Sequence, residues 1–388
     1  MAENTFLGFP RGSGRAGTRN HLLILGINGL VVAAAGRIAA ALPGSKFVAT
    51  PYGRGQFGPD KECHFRQLVG IGANANNGAV LIVGVDRKSA DEVADGIAAR
   101  SSALVEAVTL DDTHEDALAL AALGIRAGSR LAREISQERR QPVPVSELYV
   151  GVECGHSDAS SGLATNPLSG ALVDRLVDAG GTAVIGETIE WLGAEHALRH
   201  CGAKPQMGEA IVRAVAAREA AVTAIGVDLL GNNPGAENIR GGLSTIEEKS
   251  LGAVAKAGSR PVSGLLPFAG PPERTGLYLM DGPSFSPESM TGFVASGTQM
   301  ILFTTGPGNS YCSLLAPTIK ISANPQAHEH VSNQLDFDAR GVFEAHETLD
   351  AAADRLFDEM IGFASGTLTW GEAVGEGAEC FTRIGASL

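Results

Sequence analysis

A short stretch of the chain, residues 153–167, gathers side chains that could carry acid–base or metal chemistry. It reads Glu-Cys-Gly-His-Ser-Asp-Ala-Ser-Ser-Gly-Leu-Ala-Thr-Asn-Pro, with two carboxylates, a thiol and an imidazole close together. The small residues between them would let a ligand approach the backbone. Carboxylates and an imidazole around a cleft suit proton abstraction and elimination on a polar small molecule. Our candidate catalytic residues are His156, Asp158 and Glu187, and our candidate metal ligands are Cys154 and Glu153.

The stretch lies between a predicted strand and a predicted helix. An apolar run at 148–152 precedes it, and apolar residues fall at helical spacing after Pro167. Further strands are predicted at 181–186, 276–281 and 300–305, and polar residues follow each of them. The carboxyl ends of parallel strands share one edge of a sheet, so we expect these exits to converge on one site. Substrate contacts are predicted there for Asn166, Asn232 and Thr305.

Each of these residues also has a structural interpretation. Cys154 could be a small buried residue at a strand end, and Asp158 could cap the following helix. Glu187 could lie in the first turn of a helix, where the helix dipole favours acids. Asparagines such as Asn232 are common in turns. Singly, the structural and functional interpretations are equally good, but the concentration of polar clusters at strand exits favours function.

The first part of the chain shows the same alternation of strands and helices. Apolar strand patterns at 21–25, 46–50, 79–85 and 105–110 are separated by helical segments, which predicts a parallel sheet. A charged and then proline-bearing segment at 136–144 is the best domain boundary. We therefore predict an α/β protein of two Rossmann-like domains with mainly parallel sheets. The N-terminal α/β domain would span residues 1–141, and the C-terminal domain, with the main site motifs, residues 142–388.

Two glycine-rich loops of the first domain could bind anions. Arg15 and Arg19 lie in the loop before the first predicted strand, where guanidinium groups suit bidentate carboxylate or phosphate binding, or could pair with surface acids. Residues 53–58 match the pattern GxGxxG and include Arg54. Asp86 ends a later strand, but at more than the usual spacing, so the dinucleotide signal is weak. The predicted anion contacts are Arg15, Arg19 and Arg54.

Composition excludes several classes of function. The chain has 388 residues, of which 44% are hydrophobic, and a formal net charge of −13, which argues against binding to nucleic acid or to an anionic membrane. Its five cysteines form no CxxC pair, which is typical of a reducing compartment. We find neither a signal peptide pattern nor an apolar run of membrane-spanning length. The sequence therefore predicts a cytoplasmic protein.

Six stretches of the chain carry a family resemblance: GRAGTRNHLLIL (14–25), ECGHSDASSGLATNP (153–167), GGTAVIGETIEWLGAEH (180–196), GGLSTIEEKSLG (241–252), LMDGPSFSPESMTGFVASG (279–297) and ILFTTGPGN (301–309). They resemble the altronate/galactarate dehydratase family, which also contains the large subunit of sulfolactate sulfo-lyase. The resemblance implies an α/β fold and β-elimination of water or sulfite from a small hydroxy acid, generally with iron or another divalent metal such as Mn²⁺. It also implies a small β-rich partner subunit, and we expect a homo-oligomer.

The chain departs from the family pattern at cysteine positions. The resemblance implies cysteines in three turns where this chain has Gly29, Arg54 and Arg87, so that Cys154 alone is kept. His156 stands where the family has glycine. Arginine cannot replace cysteine as a metal ligand, because its guanidinium is cationic and has no lone pair to offer.

Three hypotheses follow. In the first, the protein is a metal-assisted lyase in which His156 or Glu187 is the base and Arg15 and Arg19 hold the substrate carboxylate. Asp158, Glu153 and Cys154 would then hold Fe²⁺ or Mn²⁺ or polarise the leaving group. In the second, it is a metal-independent lyase or hydrolase acting on a different organic acid. In the third, it is a module that binds a nucleotide or another metabolite at residues 53–58.

Overall fold

Two mainly parallel sheets organise the computed structural model, which describes residues 5–12, 14–200, 205–229, 233–385 and 387. The α/β class predicted from the sequence is confirmed. The strands are β1 (Thr5–Gly8), β2 (His21–Gly26), β3 (Lys46–Ala49), β4 (Asn77–Gly84), β5 (Leu104–Thr109), β6 (Gln141–Pro144), β7 (Tyr149–Cys154), β8 (Thr182–Ile185), β9 (Val262–Pro267), β10 (Gly276–Asp281), β11 (Met300–Thr304), β12 (Thr318–Ser322) and β13 (Phe337–Asp338).

Helices follow most of the parallel strands. The α-helices are α1 (Val32–Ala40), α2 (Gly58–Gly72), α3 (Arg87–Ala98), α4 (Ala117–Ile135), α5 (Asn166–Asp178), α6 (Glu195–His200), α7 (Pro205–Ala224), α8 (Ala236–Arg240), α9 (Ile246–Val254), α10 (Ser286–Ser296), α11 (Pro325–His330), α12 (Arg340–Phe343), α13 (Leu349–Ala364) and α14 (Trp370–Val374). Short 3₁₀ turns lie at Gly29–Val31, Asp111–Thr113, Val145–Glu147, Thr188–Trp191, Ala255–Ala257 and Ser332–Gln334.

The first sheet has four parallel strands in the order β3-β2-β4-β5. Every residue of β4 is buried, because helices cover both faces of the sheet. Helices α1 and α4 pack on one face, and α2 and α3 pack on the other. The chain reverses direction across this sheet between β2 and β4, which creates a crevice at the carboxyl ends of those two strands.

The second sheet has seven parallel strands in the order β13-β12-β11-β7-β8-β10-β9. Helices α5 and α13 cover one face. Helix α10 covers the other face and packs against α2, so one hydrophobic core includes residues of both sheets. Here the order reverses between β11 and β7, and the stretch 153–167 begins at that point.

The packing of α2 on α10 aligns the two sheets. Gly70 of α2 lies against the Ala295 carbonyl, and further along the same direction Asn74 Nδ2 donates to Thr298 O at 2.8 Å. The two helices therefore run in parallel. Each of them begins at the carboxyl edge of its own sheet, as helices after parallel strands do. Consequently, the two carboxyl edges lie on the same side of the molecule.

Segments remote in sequence join the two halves. The predicted boundary segment 136–144 contains β6, which pairs with β1 as an antiparallel ribbon. At the other end of the chain, the Thr382 N–H donates to Gln67 Oε1 at 2.9 Å, and the Cys380 N–H donates to Thr291 Oγ1 at 2.7 Å. These bonds connect the last residues to both α2 and α10.

Among the described residues, no helix combines the length and the apolar composition that crossing a bilayer requires.

The close approach of α2 and α10 generates a stability prediction. We expect Gly70→Ala to destabilise the protein by about 2 kcal/mol, because the added Cβ would overlap the Ala295 carbonyl and force two packed helices apart. The matched control is Gly36→Ala in α1, where the nearest atom to an added Cβ is Phe47 Cζ at 3.7 Å. It should be neutral or slightly stabilising. Thermal unfolding of the two variants measures the difference, and equal melting temperatures would contradict this account of the helix contact.

Candidate active site

A fully buried lysine lies among three acidic groups at the carboxyl edge of the second sheet. Lys256 Nζ is 2.8 Å from Glu190 Oε2 and 3.1 Å from Cys154 Sγ. It is also 3.8 Å from Glu153 Oε1. Cys154 Sγ is in turn 3.3 Å from Glu190 Oε2. We call Glu153, Cys154, Glu190 and Lys256 the lysine cluster.

The fold explains how these residues meet. Glu153 and Cys154 end the buried strand β7, and Glu190 lies in the 3₁₀ turn that follows β8, the next strand in the sheet. Lys256 comes from the 3₁₀ turn after α9. Ser289 Oγ of α10 donates to Glu153 Oε2 at 2.6 Å, which fixes that carboxylate. The cluster therefore depends on elements from four separate parts of the chain.

Burial and mutual charge decide the ionisation of the cluster. Burial raises the pKa of Glu153 above its ordinary value although Lys256 acts in the opposite direction. Burial would also raise the pKa of Glu190, but the charges of Lys256 and Lys249 hold it below its ordinary value. Burial raises the pKa of Cys154 as well, and its acidic neighbours add to that effect. The cluster is thus best described as an ammonium–carboxylate pair, Lys256 and Glu190, with a thiol beside it.

The donor atoms of Glu153, Cys154 and Glu190 could hold a metal ion, since they lie within 4.8 Å of one another. A thiolate combined with carboxylates suits iron better than magnesium or calcium. The Lys256 ammonium, however, lies among the same donors. The same donors can therefore surround either a metal ion or the Lys256 ammonium. A metal ion would bind only if the ammonium moved away or lost its proton.

Two residues next to the cluster have left-handed backbone conformations, which are uncommon for residues other than glycine. Glu187 follows β8 with a φ of 58°, and His156 follows β7 with a φ of 55°. Such conformations concentrate at functional sites. The structure thus places both predicted proton-transfer residues at the exits of neighbouring strands.

Glu187 has the environment of a proton-transfer group. Its side chain is 5% exposed, and among the described residues no hydrogen-bond donor to its carboxylate is found. Burial raises its pKa well above the ordinary value, and the nearby charges of Glu153 and Glu190 raise it further. His156, by contrast, is exposed, with Nδ1 3.2 Å from Gly308 O.

Asp158 holds the site loop in place. Its Oδ1 accepts from Ser160 Oγ at 2.6 Å and from the Ser161 N–H at 3.0 Å, and its Oδ2 accepts from Asn324 Nδ2 at 2.8 Å. A Cβ at Gly241 would come within 2.7 Å of Asp158 Cβ. Because its oxygens are engaged with the protein, Asp158 serves here as an organiser of the loop that carries His156.

The predicted substrate contacts in the second domain divide into three cases. Asn166 accepts from Thr304 Oγ1 at 2.6 Å and donates to Gly252 O at 3.0 Å, so it connects three segments of the protein. Thr305 is buried, and its hydroxyl has no hydrogen-bond partner within the described residues. Asn232 lies outside the described residues. The neighbouring Asn233 accepts from Lys249 Nζ at 2.9 Å.

The structure does not bring Arg15 and Arg19 to this site. Arg15 donates to Thr182 Oγ1 at 2.8 Å, and Thr182 begins β8, so this guanidinium lies at the opposite edge of the sheet. Arg19 forms a bidentate ion pair with Glu372, with distances of 2.7 and 2.8 Å. Both guanidinium groups thus connect segments of the fold.

Arg54 lies at the carboxyl edge of the first sheet. It lines a cavity there together with Gly29 and Asp86, which precedes Arg87. The three positions at which the family resemblance implies cysteines therefore follow the ends of β2, β3 and β4. Cys154 belongs to the other sheet, at the end of β7. The departures from the family pattern at cysteine positions are thus concentrated at the carboxyl edge of the first sheet.

Sequence reasoning missed Lys256 and Lys249. The signal for Lys256 was present, because it is a lone cation in the small apolar segment Gly-Ala-Val-Ala-Lys-Ala-Gly. A charged residue in such a segment is unusual unless it has a buried partner. Lys249 lies in α9, and its Nζ is 3.9 Å from Glu190 Oε1. Its place in the sequence is that of an ordinary residue on the surface of a helix, so no signal in the sequence pointed to it.

Comparisons with known proteins give consistent matches over nearly the whole chain. The family model described as D-galactarate/Altronate dehydratase, C-terminal, matches residues 145–387. The model described as D-galactarate dehydratase/Altronate hydrolase, second domain, matches residues 8–138.

Three characterised proteins illustrate the range of relatives. The chain is 37% identical to (2R)-sulfolactate sulfo-lyase subunit beta of Chromohalobacter salexigens, over 99% of this chain and 98% of that protein. It is 30% identical to altronate dehydratase of Bacillus subtilis, over 94% of this chain and 75% of that protein. It is 27% identical to galactarate dehydratase (L-threo-forming) of Escherichia coli, over 78% of this chain and 59% of that protein.

The lysine cluster generates a pH-dependent stability prediction. Replacing Lys256 by Met should destabilise the fold by about 3 kcal/mol or more, because it leaves buried acids without their cation. The loss should grow from pH 5 to pH 8. Without Lys256, the folded-state pKa of Glu190 would no longer be held down and that of Glu153, already raised, would rise further. The folded variant would then bind more protons than the unfolded chain and lose stability as pH rises.

Urea unfolding of Lys256→Met at several pH values measures this effect. Lys88→Met is the matched control, because Lys88 is exposed on α3 and should change stability by less than about 0.5 kcal/mol. A deficit that is the same at pH 5 and pH 8 would contradict the electrostatic account.

Proposed function

Because the chain belongs to the D-galactarate/altronate dehydratase family, we propose that it is a lyase that removes a β-substituent from a small hydroxy acid. The relatives named above act on sulfolactate, altronate and galactarate, which are all hydroxy acids with an anionic group. The leaving group would be sulfite or water. The higher identity to the sulfo-lyase subunit, over nearly its full length, favours sulfite.

We further propose that the chain works as the large subunit of a two-component enzyme. The support is the relative that is named a subunit beta and that matches the chain over 98% of its own length. The small β-rich partner and the homo-oligomer expected from the sequence are part of the same proposal. Co-purification with a co-expressed small subunit, followed by light scattering, tests both.

Glu187 carries the mechanistic proposal, since it is a buried carboxyl group without a donor in the described chain. A raised pKa makes its carboxylate a stronger base. It would take the proton from the carbon next to the substrate carboxylate. The electron pair of that C–H bond would form a C=C bond while the bond to the β-substituent breaks and the leaving group departs with its electrons. The enol product would then become a 2-oxo acid.

The negative charge that develops on the substrate requires a cation nearby. In our proposal this charge comes from Lys256 of the lysine cluster and from Lys249, which is half-buried and 3.9 Å from Glu190 Oε1. His156 would lie at the entrance, where an exposed imidazole could return a proton to a departing hydroxide.

A divalent ion is the alternative source of positive charge. Glu153, Cys154 and Glu190 would hold it, and Fe²⁺ or Mn²⁺ would supply Lewis-acid polarisation when bound. A second candidate function is the same elimination without a metal. The position of Lys256 Nζ among the three donor groups favours this second candidate.

The role of Glu187 can be tested by kinetics. We expect Glu187→Gln to lower kcat by about 10²-fold or more with sulfolactate, altronate or galactarate, because the amide cannot accept the proton. The assay measures the 2-oxo acid and, by ion chromatography, sulfite. Glu219→Gln is the matched control, because Glu219 is exposed on α7, and it should retain full activity. Activity of Glu187→Gln equal to that of the control would overturn the assignment.

A separate experiment distinguishes the two sources of charge. The wild-type enzyme is chelated, its metal content is measured by mass spectrometry, and activity is assayed before and after addition of Fe²⁺ or Mn²⁺. Loss and recovery of activity support the metal-assisted lyase. Full activity in the metal-free protein supports Lys256 as the cation and excludes the metal role.

A further inference from the structure

The carboxyl edge of the first sheet contains a large cavity that the proposed elimination does not use. Its volume is about 870 Å³, which is in the usual range for a small-molecule site. It lies where the strand order reverses between β2 and β4, and both strand exits contribute to its lining. In open α/β sheets this is the place where ligands bind.

Part of the cavity lining offers hydrogen-bond donors that have no partner within the described part of the chain. It is formed by the loop at 53–57, and within the described chain the backbone N–H groups of this loop make no internal hydrogen bond. Gln56 is 7% exposed, and its Nε2 has no hydrogen-bond partner among the residues that the structure describes. An unpaired buried amide is costly, so its presence in a cavity wall points to a ligand acceptor.

Two cationic side chains also line the cavity. Arg54 is exposed towards solvent, Lys61 lies in the first turns of α2, and neither has an ion-pair partner among the described residues. The loop leads directly into the N-terminus of α2, a helix of 15 residues. Free backbone donors, a helix N-terminus and a guanidinium together form the chemistry that binds an oxyanion.

The other titratable groups of the lining indicate which further chemical groups a ligand would carry. His64 adds no charge at neutral pH, because burial lowers its pKa to about 4 and its Nε2 lies 2.8 Å from Thr50 Oγ1. The lining also includes four acidic side chains, Asp86, Glu92, Asp111 and Glu115. Carboxylates accept hydrogen bonds from hydroxyl groups but repel a second anion.

We propose that this cavity binds a small hydroxylated organic anion. Its carboxylate, sulfonate or phosphate would contact Arg54, the Gln56 amide and the loop N–H groups, and its hydroxyl groups would contact the acidic side chains of the lining. A hydroxy acid and a nucleoside monophosphate both have this chemistry. The site is distinct from Glu187 and the lysine cluster, so it does not rest on the proposed elimination.

Isothermal titration of the purified full chain with its partner subunit, where one co-purifies, tests the proposal. The probes are tartrate, AMP and glycerol, and the proteins are wild type, Arg54→Gln, Gln56→Leu and Arg126→Gln. Arg126 is an exposed cation on α4, away from the cavity, and serves as the matched control. We expect tartrate or AMP to bind, with affinity reduced tenfold or more in Arg54→Gln and reduced in Gln56→Leu. Arg126→Gln should bind as wild type does, and glycerol should not bind.

The outcomes separate the ligand sources and the two sites. Binding of tartrate alone assigns a hydroxy acid, and binding of AMP alone assigns a nucleotide. A Glu187→Gln protein should bind the probe unchanged, which separates this cavity from the proposed active site. Absence of binding by both anions, or binding that Arg54→Gln leaves unchanged, would overturn the proposal.

Discussion

The fully buried ammonium group of Lys256 constrains the arrangement around it. A charge without contact to water must have partners at close range, and here Glu190 and Cys154 supply them at 2.8 and 3.1 Å. Meeting that requirement fixes the end of β7, the turn after β8 and the turn after α9 relative to one another. Glu187, one turn before Glu190, is consequently held beside acids that raise its pKa.

Close helix packing provides the second constraint. The absence of a side chain at Gly70 lets α2 and α10 approach to backbone contact, and the shared core joins the two sheets. Parallel helices then place both carboxyl edges on one side of the molecule. Such an arrangement places the lysine cluster and the loop at 53–57 on the same side of the molecule.

The two edges differ in chemistry in a way that follows from their residues. The second sheet keeps the thiol and carboxylates that resemble the family pattern, and buries a cation among them. The first sheet has Gly29 and Arg54 at positions where the resemblance implies cysteines. A guanidinium binds anions and a thiolate binds metals, so the first edge has the character of an anion site in this chain.

The sequence by itself determined the α/β class and the positions of β7, β8, β10 and β11, because apolar runs of strand length followed by polar turns are local signals. It also identified the exits that carry Cys154, His156 and Glu187. The sequence did not predict the short ribbon of β1 and β6, because its two strands lie far apart in the chain and no local pattern relates them.

Only the tertiary structure decided which polar residues meet. Lys256 and Cys154 are 102 positions apart, and no periodicity in the sequence relates them. Arg15 looked like an anion ligand because glycines surround it, yet packing directs it to Thr182 at the opposite edge. Local patterns specify strands and turns through backbone preference, whereas a site depends on which side chains the folded core brings within a few ångströms. The packing of the two sheets around α2 and α10 determines which side chains meet.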